Sequence, residues 1–587
     1  MRRVVERVLV RLEQEPVGVA AVVLIALQLV VRLVVVLPSY FWQDDFTHLL
    51  LARRMGLSKD YLVRDYNDHL EIVTNALYWL VSVVTDRSFV LPALLVCGLQ
   101  LLASVLFWRL LRAAFGSRGL ILVALALYLF TPLALATSTW FAAALQALAY
   151  QLTLFAVLLA MLHLHRTGSR RWGIASLAAY AVGLLWWEKA ALVLPTALVV
   201  LVLVVWQEET WGWRMQRLRQ QRRWWAAHAV LLGAYLVLYF TVTDGSERTT
   251  VEAAPYLRST LTMVAQVFVP GVIGGPWQVS GAENTLYPTS GPLLITACGL
   301  VLAAVIAASL LVSGRRALVP WAVALLYLAG DIALMIWGRA EYLGLVARDP
   351  RYVADAVPVF ALCLAAAFTR SRERGPLPDR PLVRGSASTA TALLVASGLL
   401  TTFLLAPVLQ RTYAHNYVDG LIRGFEDNPG VSVVDTDTPL VIATLDQKSL
   451  LESMGFDAPF DQPGVSMRMF DSLAQLRETD LLDTTLDRVG PSPDCGWPVG
   501  RASVVIGDLP ASSLNVYVLR LGVVTGVSAR LFVEVQGRRQ AVDVEPGLSH
   551  VDFVVSGSSG PILAWARRTG SGVCVSDQTA GRPWPRD

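Results

Sequence analysis

The sequence predicts a polytopic α-helical membrane protein of about eleven spans, followed by a C-terminal extracytoplasmic β-rich domain that resembles a sandwich. Of its 587 residues, 55% are apolar and only 16% are charged, whereas soluble domains carry about 25% charged residues. Apolar runs of about 20 residues recur as far as residue 410, the length of a spanning helix. Beyond them the chain changes to short alternating segments broken by Gly and Pro, which is typical of a β-sandwich.

Eleven apolar runs are long enough to be interpreted as spans. The run at 70–84 is shorter and begins beside His69 and Glu71, so we interpret it as a helix at the membrane surface. The predicted spans are about 17–37, 89–111, 119–137, 141–162, 172–187, 190–206, 225–242, 291–312, 317–337, 352–370 and 387–407.

The basic residues predict the orientation. With the N-terminus in the cytoplasm, every strongly basic loop falls on the cytoplasmic side, as the positive-inside rule requires. Counting 70–84 as a span would move the arginines of 109–118 outside. We therefore predict a multi-pass protein of the plasma membrane with a cytoplasmic N-terminus and an extracytoplasmic C-terminal domain.

Composition also divides the chain into parts. We predict a transmembrane domain at 1–410, a linker at 411–433 and an extracytoplasmic domain at 434–587. Within that last part, 434–488 combines helical and strand patterns, and 489–587 forms the β-sandwich.

The five cysteines are too few for a disulfide scaffold. Three of them fall in apolar runs, where a thiol behaves as a small hydrophobe. Cys495 and Cys574 lie in the part placed outside the cell, where disulfides persist. We predict that they form a disulfide. Two unpaired thiols remain the alternative, because spacing alone does not bring the Cα atoms within about 7 Å.

The first external loop, 38–69, is rich in ionisable residues, which are costly near a membrane and therefore suggest function. Asp44 and Asp45 lie a few residues after the first span. A carboxylate beside an apolar wall can act as a general base or bind a cation. On a helix, Asp44 and His48 share a face while Asp45 points about 100° away, so the two acids should have different roles. Alternatively, both only cap a short helix.

Two groups of cations could meet a phosphate at the outer face. Lys189 lies in a tight external turn, although it could instead extend to the membrane surface and pair with Glu188. Arg348, Arg351 and Tyr352 lie at the external start of the tenth predicted span. Guanidinium groups suit phosphate oxygens. Anchoring to lipid headgroups is the alternative for these arginines.

Other residues are candidates for acceptor binding or for support of the site. They are His48, His69, Glu71 and, in the external loop 243–290, Trp277. An indole ring can stack on a sugar. An ordered loop that covers the site is the alternative interpretation of 243–290.

In this order, the features resemble the GT-C superfamily of polyprenyl-phosphate-dependent glycosyltransferases, especially the aminoarabinose-transferase and protein-mannosyltransferase type. Those proteins place an acidic pair in the first external loop and a His-containing segment before an interfacial helix. A basic Phe-Gly segment, a lysine turn and an Arg-Tyr start of a late span follow. The matching residues are Asp44-Asp45, His69-Leu70, Arg109 to Gly116, Trp187 to Lys189, Arg351-Tyr352 and Pro358.

The resemblance implies an inverting transfer of a sugar from a polyprenyl-phosphate donor to an extracytoplasmic glycan, lipid or protein. It implies Asp44 as the base and Asp45 as a supporting acid or a cation ligand. Lys189 and Arg351, with Arg348 and Tyr352, would hold the donor phosphate. A divalent cation is left open as a cofactor.

Two other classes of function share part of this pattern. A transporter or flippase for lipid-linked sugars would also need many spans, but it should show paired repeats with broken helices near the midplane, and the sequence has no such symmetry. A structural protein that displays the β domain would need only one span. No Walker or Gly-rich nucleotide loop is present, and nothing in the sequence predicts a nucleic-acid partner.

Overall fold

The computed structural model describes residues 15–243, 245, 253–282, 285–339, 343–369, 381–492, 494–567 and 572–586. It contains two compact units. The first comprises residues 1–45 and 54–412, and the second comprises residues 46–53 and 413–587. The arginines before residue 15 and those at 370–380, on which the predicted orientation partly depends, lie outside the described residues.

Nine helical segments in the described ranges are long and apolar enough to cross a membrane. Apolar side chains on all faces suit helices that meet lipid and one another rather than water. The segments are Pro16–Val36, Val90–Phe115, Leu120–Ser138, Phe141–Thr167, Glu188–Val205, Arg222–Val242, Pro292–Gly338, Arg351–Phe368 and Gly385–Asp427.

The eleven predicted spans all coincide with helices. The segment Pro292–Gly338 has 47 residues and contains two long helices, Pro292–Ser313 and Leu318–Gly338, joined by a 3₁₀ turn. The remaining predicted span forms helix Arg170–Trp186, whose 17 residues are at the lower limit for a span. The predicted surface helix forms at Ile72–Val84 and has 13 residues, too few to cross about 30 Å of hydrocarbon.

Helix Phe141–Thr167 lies at the centre of the first unit and is largely buried. It packs against Val90–Phe115 and Arg170–Trp186. Gly183 permits the second approach, because a Cβ atom there would overlap the Thr153 side chain. Small residues bring membrane helices together in this way.

Shorter helices connect or extend the bundle. Thr412–Asp427, which starts in the predicted linker, is amphipathic and buries Tyr417, Leu421 and Phe425 on one face. The others include Asp44–Met55, Lys59–Leu62, Trp211–Gln220, Ala253–Thr262, Leu343–Val346 and Gln447–Ser453.

The second unit is a β-sandwich of two antiparallel sheets. One sheet has the order β10-β9-β12-β7, and the other has the order β3-β11-β8-β13-β5-β4, with β6 paired to β13. After β1 (Val279–Ala282) and β2 (Thr285–Pro288) of the first unit, the strands are β3 (Gly464–Val465), β4 (Arg468–Phe470), β5 (Leu476–Val489), β6 (Trp497–Val499), β7 (Val504–Leu509), β8 (Val518–Thr525), β9 (Ala529–Val535), β10 (Arg538–Val544), β11 (Gly547–Val554), β12 (Gly560–Arg567) and β13 (Val573–Pro585).

Alternating apolar residues of both sheets form one core, which includes Leu521, Val533 and Phe553. The larger sheet begins before residue 489, where the sequence placed the start of the sandwich, because β5 pairs with β13. Cys495 and Cys574 form a disulfide with a Cα–Cα distance of 5.1 Å. The bridge joins the segment before β6 to β13.

Candidate functional site

The carboxylate of Asp45 connects three segments of the first unit through hydrogen bonds. It lies in the first turn of helix Asp44–Met55 and its side chain is fully buried. Its carboxylate accepts hydrogen bonds from the backbone N–H of Trp42 at 3.0 Å and of Ala142 at 2.9 Å, and from the Tyr78 hydroxyl. The Trp42 bond reaches three residues back, as in one half of a capping box. This acid therefore positions the start of two helices.

Asp44 has a different environment from that of Asp45. It is partly exposed and accepts a hydrogen bond from the Tyr66 hydroxyl at 3.0 Å. Burial raises the pKa of Asp45 to about 7, although its hydrogen bonds from Tyr78, Trp42 and Ala142 act in the opposite direction. Asp44 is thus the acid with access to a reacting group, and Asp45 is the acid held inside the protein.

Arg351 lies beside this acidic pair. It interacts electrostatically with Asp44, and its Nε atom is 2.9 Å from Asp349 Oδ2. It also donates a hydrogen bond of 2.7 Å to the Tyr352 hydroxyl. Its guanidinium lies 4.5 Å above the ring of Trp140. The structure therefore brings Arg351 and Tyr352 to the site.

Lys189 is paired with two carboxylates from other helices. Its Nζ atom is 2.6 Å from Asp331 Oδ1 and 2.8 Å from Asp355 Oδ2. Both aspartates are buried. One lysine with two carboxylates leaves the group negative when all three are charged, which disfavours a phosphate at Lys189.

His69 and Glu71 meet Glu188 at the end of the turn Tyr66–His69. The His69 Nδ1 atom is 2.8 Å from Glu188 Oε1, and its Nε2 atom is 3.0 Å from Arg339. Burial lowers the pKa of His69, but Glu188 and Glu71 raise it to about 9. Burial also raises the pKa of Glu71 to about 7.

These three side chains have the donor set of a metal site. One ligand atom from each of His69, Glu71 and Glu188 lies within 4.8 Å of the other two. Glu188 Oε2 is buried without a hydrogen bond, which a cation would satisfy. Imidazole and carboxylate ligands suit Zn²⁺ and Mn²⁺. The residues present therefore fit a divalent cation.

The remaining candidates are Trp277, Arg348 and His48. Trp277 donates a hydrogen bond of 3.0 Å to Ser397. Arg348 is exposed. His48 is 2% exposed and belongs to the segment 46–53 that packs with the second unit.

Arg411 and Asp331 are residues of the site that the sequence interpretation did not select. Arg411 directly follows the last predicted span, is 4% exposed and interacts electrostatically with Asp349, Arg351 and Asp45. In the predicted orientation, an arginine at the external end of a span opposes the positive-inside rule, and this was the available signal. Asp331 lies inside an apolar run, and its position there is itself unusual.

The second unit presents a partly exposed aromatic surface. The rings of Phe532 on β9 and Trp565 on β12 stack with centroids 5.3 Å apart. Arg539 lies 4.8 Å above the Trp565 ring, and Arg567 lies 5.5 Å from the Phe532 ring. Arg501, Trp565 and Arg567 line an open depression of about 600 Å³.

No family model and no curated protein matches the chain. Solved structures with partial similarity include ArnT from Cupriavidus metallidurans bound to undecaprenyl phosphate (15% identity, 76% of this chain and 92% of that chain, TM-score 0.43). The oligosaccharyltransferase AglB from Archaeoglobus fulgidus, in complex with an inhibitory peptide and a dolichol-phosphate, is 13% identical (71% of this chain and 59% of that one, TM-score 0.42). The arabinosyltransferase EmbB from Mycobacterium smegmatis is 11% identical (96% and 64%, TM-score 0.32).

These proteins are membrane glycosyltransferases of the GT-C class that the sequence resembles. All three identities are below 25%, and all three TM-scores are below 0.5.

Proposed function

We propose that this protein transfers a sugar from a polyprenyl-phosphate donor to an acceptor hydroxyl on the outer side of the membrane, with inversion. The observation that carries the proposal is that the partly exposed carboxylate of Asp44 lies near enough to the partly buried guanidinium of Arg351 to interact with it electrostatically, where the helical segment Arg351–Phe368 begins. A base and a phosphate-binding cation are the two groups that this reaction needs.

In the proposed reaction, Asp44 takes the proton of the acceptor hydroxyl. The acceptor oxygen forms a bond to the anomeric carbon while the bond from that carbon to the phosphate oxygen breaks. The polyprenyl phosphate leaves with the electron pair, and Arg351 stabilises its charge. A preorganised cation at this position lowers the barrier because it needs no reorientation.

Lys189 has a structural role in this proposal. Because Asp331 and Asp355 already neutralise it, we assign the donor phosphate to Arg351 with Tyr352, and we keep Arg348 as a peripheral candidate.

We place the divalent cation at His69, Glu71 and Glu188 rather than at Asp45. The oxygens of Asp45 already accept three hydrogen bonds. A bound cation would supply positive charge at the outer end of the helices. Measurement of bound metal in the purified chain and in Glu188→Gln tests this placement, which predicts metal in the first and little in the second.

The second unit is proposed to bind glycan on the surface formed by Phe532, Trp565, Arg539 and Arg567. Aromatic faces stack on the apolar faces of sugar rings, and the arginines can donate to hydroxyl or acidic groups. His48 and Trp277 remain predicted support residues for the acceptor.

We also propose that the N-terminus is cytoplasmic and that the protein lies in the plasma membrane. Its transmembrane domain would comprise residues 1–410, and its extracytoplasmic domain would begin at residue 434. Single cysteines introduced at Asp60 and Ser280 should react with an impermeant reagent from outside, and one at Gln220 only from inside. Outward labelling at Ala113 would show that Ile72–Val84 spans the membrane.

The decisive experiment on function is a transfer assay with the full chain in nanodiscs. Polyprenyl-phosphate sugars extracted from host envelopes would serve as donors, and the envelope glycans of cells with and without the gene would be compared by mass spectrometry. Loss of a glycan in the deletion strain, restored by the wild-type gene but not by Asp44→Asn, is the expected result. Unchanged glycans in the deletion strain would contradict it.

A further inference from the structure

Two indole rings form a platform next to the acidic pair. The rings of Trp42 and Trp140 meet edge to face with centroids 4.7 Å apart. Asp45 fixes both of them, since it accepts one hydrogen bond from the backbone of Trp42 and another from Ala142, two residues after Trp140. One buried carboxylate therefore sets the relative position of the two rings.

A guanidinium group lies close to each of the two indole rings. Arg351 lies 4.5 Å from the centroid of Trp140, and Arg411 lies 3.8 Å from the centroid of Trp42. The cation–π attraction helps to hold a guanidinium at such a ring, and a guanidinium can contact two oxygens of one phosphate. The two cations are near enough to act on each other electrostatically, and both act on Asp349.

The backbone conformation of Arg411 indicates that the arginine side chain is required at this position. Arg411 has φ of 59°, in the left-handed region that favours Gly or Asn. It lies between helix Pro381–Leu409 and helix Thr412–Asp427. A strained residue in such a place suggests function, because a glycine would make the same turn without strain.

The charged side chains of this site suit a bound anion that becomes more negative during the reaction. Two guanidiniums, Asp349 and an ionised Asp44 sum to zero when the buried Asp45 carries its proton. When Asp44 takes the acceptor proton, the group becomes positive, at the moment when the leaving phosphate gains a negative charge. The site therefore stabilises the departing phosphate more than the bound donor, as catalysis requires.

We propose that Arg411 is the second arm of a two-arginine site for the donor phosphate, with Arg351 as the first arm and the Trp42–Trp140 pair as its platform. This inference rests on the proposed function for the identity of the lipid. A phosphomonoester or phosphodiester at the membrane surface is the ligand class, and a guanidinium at each side gives the bidentate contacts that fix its orientation.

The test is binding of undecaprenyl phosphate, and of undecaprenol as its neutral counterpart, to the full chain in phosphatidylcholine nanodiscs. Arg411→Asn introduces a residue type that tolerates the left-handed backbone conformation. Arg411→Lys keeps the positive charge but lacks the planar guanidinium that can contact two phosphate oxygens. Arg582→Asn, which removes another guanidinium near an indole, that of Trp584, is the matched control.

For Arg411→Asn, the dissociation constant for undecaprenyl phosphate should rise about 10- to 100-fold, the effect of losing a charged hydrogen bond. Undecaprenol should bind as it does to the wild type, and Arg411→Lys should recover only part of the affinity. Equal losses for both lipids would show a structural role, and unchanged phosphate affinity would also overturn the inference.

Two further sets of measurements are needed. The first distinguishes the possible sources of the bound phosphate, and the second separates this inference from the proposed function. Inorganic phosphate and phosphatidylglycerol should compete weakly, and full competition by either would overturn the lipid-specific assignment. If Arg351→Ala abolishes binding and transfer but Arg411→Asn changes neither, the inference fails and the proposed function stands. If Arg411→Asn weakens phosphate binding as expected while the wild type transfers no sugar, the phosphate site stands and the proposed function fails.

Discussion

The same substitution should have different effects at the neighbouring acids Asp44 and Asp45, with a loss of activity at the first and a loss of stability at the second. In Asp44→Asn, the amide oxygen can still accept the bond that Tyr66 donates at 3.0 Å. The free energy of unfolding should therefore change by less than about 0.5 kcal/mol. Transfer should fall by about 10²- to 10⁴-fold, because an amide cannot take the acceptor proton.

In Asp45→Asn the loss should be structural. Oδ1 accepts from Tyr78 and Ala142, and an amide oxygen placed there keeps both bonds. The amide NH₂ then faces the Trp42 N–H, which Oδ2 accepts in the wild type. A buried donor left without its partner costs about 1–3 kcal/mol, so we expect a lower melting temperature and partial activity.

The stability of the wild type should also depend on pH through Asp45. Burial raises its pKa from 3.8 to about 7, so the folded protein keeps this proton while the unfolded chain releases it. Stability therefore falls as pH rises from about 4 to about 7 and is constant beyond that range. Asp45→Asn should lack this part of the pH dependence.

Intrinsic fluorescence melting of the chain in nanodiscs, combined with the transfer assay, measures these effects. Asp60→Asn, an exposed acid of the same loop, should match the wild type in both. An active Asp44→Asn beside an inactive Asp45→Asn of normal stability would reverse the two roles. Full activity in both variants would refute acid–base chemistry at this pair.

The remaining predictions concern three other parts of the chain. Lys189→Ala should lower the melting temperature strongly, since an unpaired buried charge costs about 3–5 kcal/mol, and adding Asp331→Asn should restore part of it; independent effects would contradict their coupling. Reduction of the Cys495–Cys574 bridge, which spans 79 residues, should destabilise the second unit by about 4 kcal/mol or less, and two thiols alkylated without reduction would show that no bridge forms. Trp565→Ala should weaken retention on envelope glycan while Trp584→Ala does not, and equal retention of both would reject the aromatic surface.

The helices of the first unit were predictable because their signal is local. A run of about 20 apolar residues needs no tertiary partner to satisfy its backbone, so hydropathy alone locates the spans. The sandwich strands β9 and β12 were predictable for a similar reason, since every second residue along each of them is buried in the core. β5 was not, because most of its side chains are exposed and no alternation marks it.

The contacts of the candidate site could not be predicted, since bundle packing decides them. The sequence offered Glu188 as the partner of Lys189. The structure instead pairs Lys189 with Asp331 and Asp355 and pairs Glu188 with His69. Residues more than 100 positions apart meet only when the helices are packed, and no spacing rule reports that.

Burial explains why two identical neighbours such as Asp44 and Asp45 take different roles. A helix turns the second acid into the bundle, where three donors hold it, and leaves the first at the surface of the site. The carboxylate that cannot reach a substrate fixes Trp42 and Trp140, and through these rings it positions Arg351 and Arg411. Loss of Asp45 would therefore lower catalysis through the misplaced arginines, so an increase in the dissociation constant for undecaprenyl phosphate should accompany any loss of transfer in Asp45→Asn.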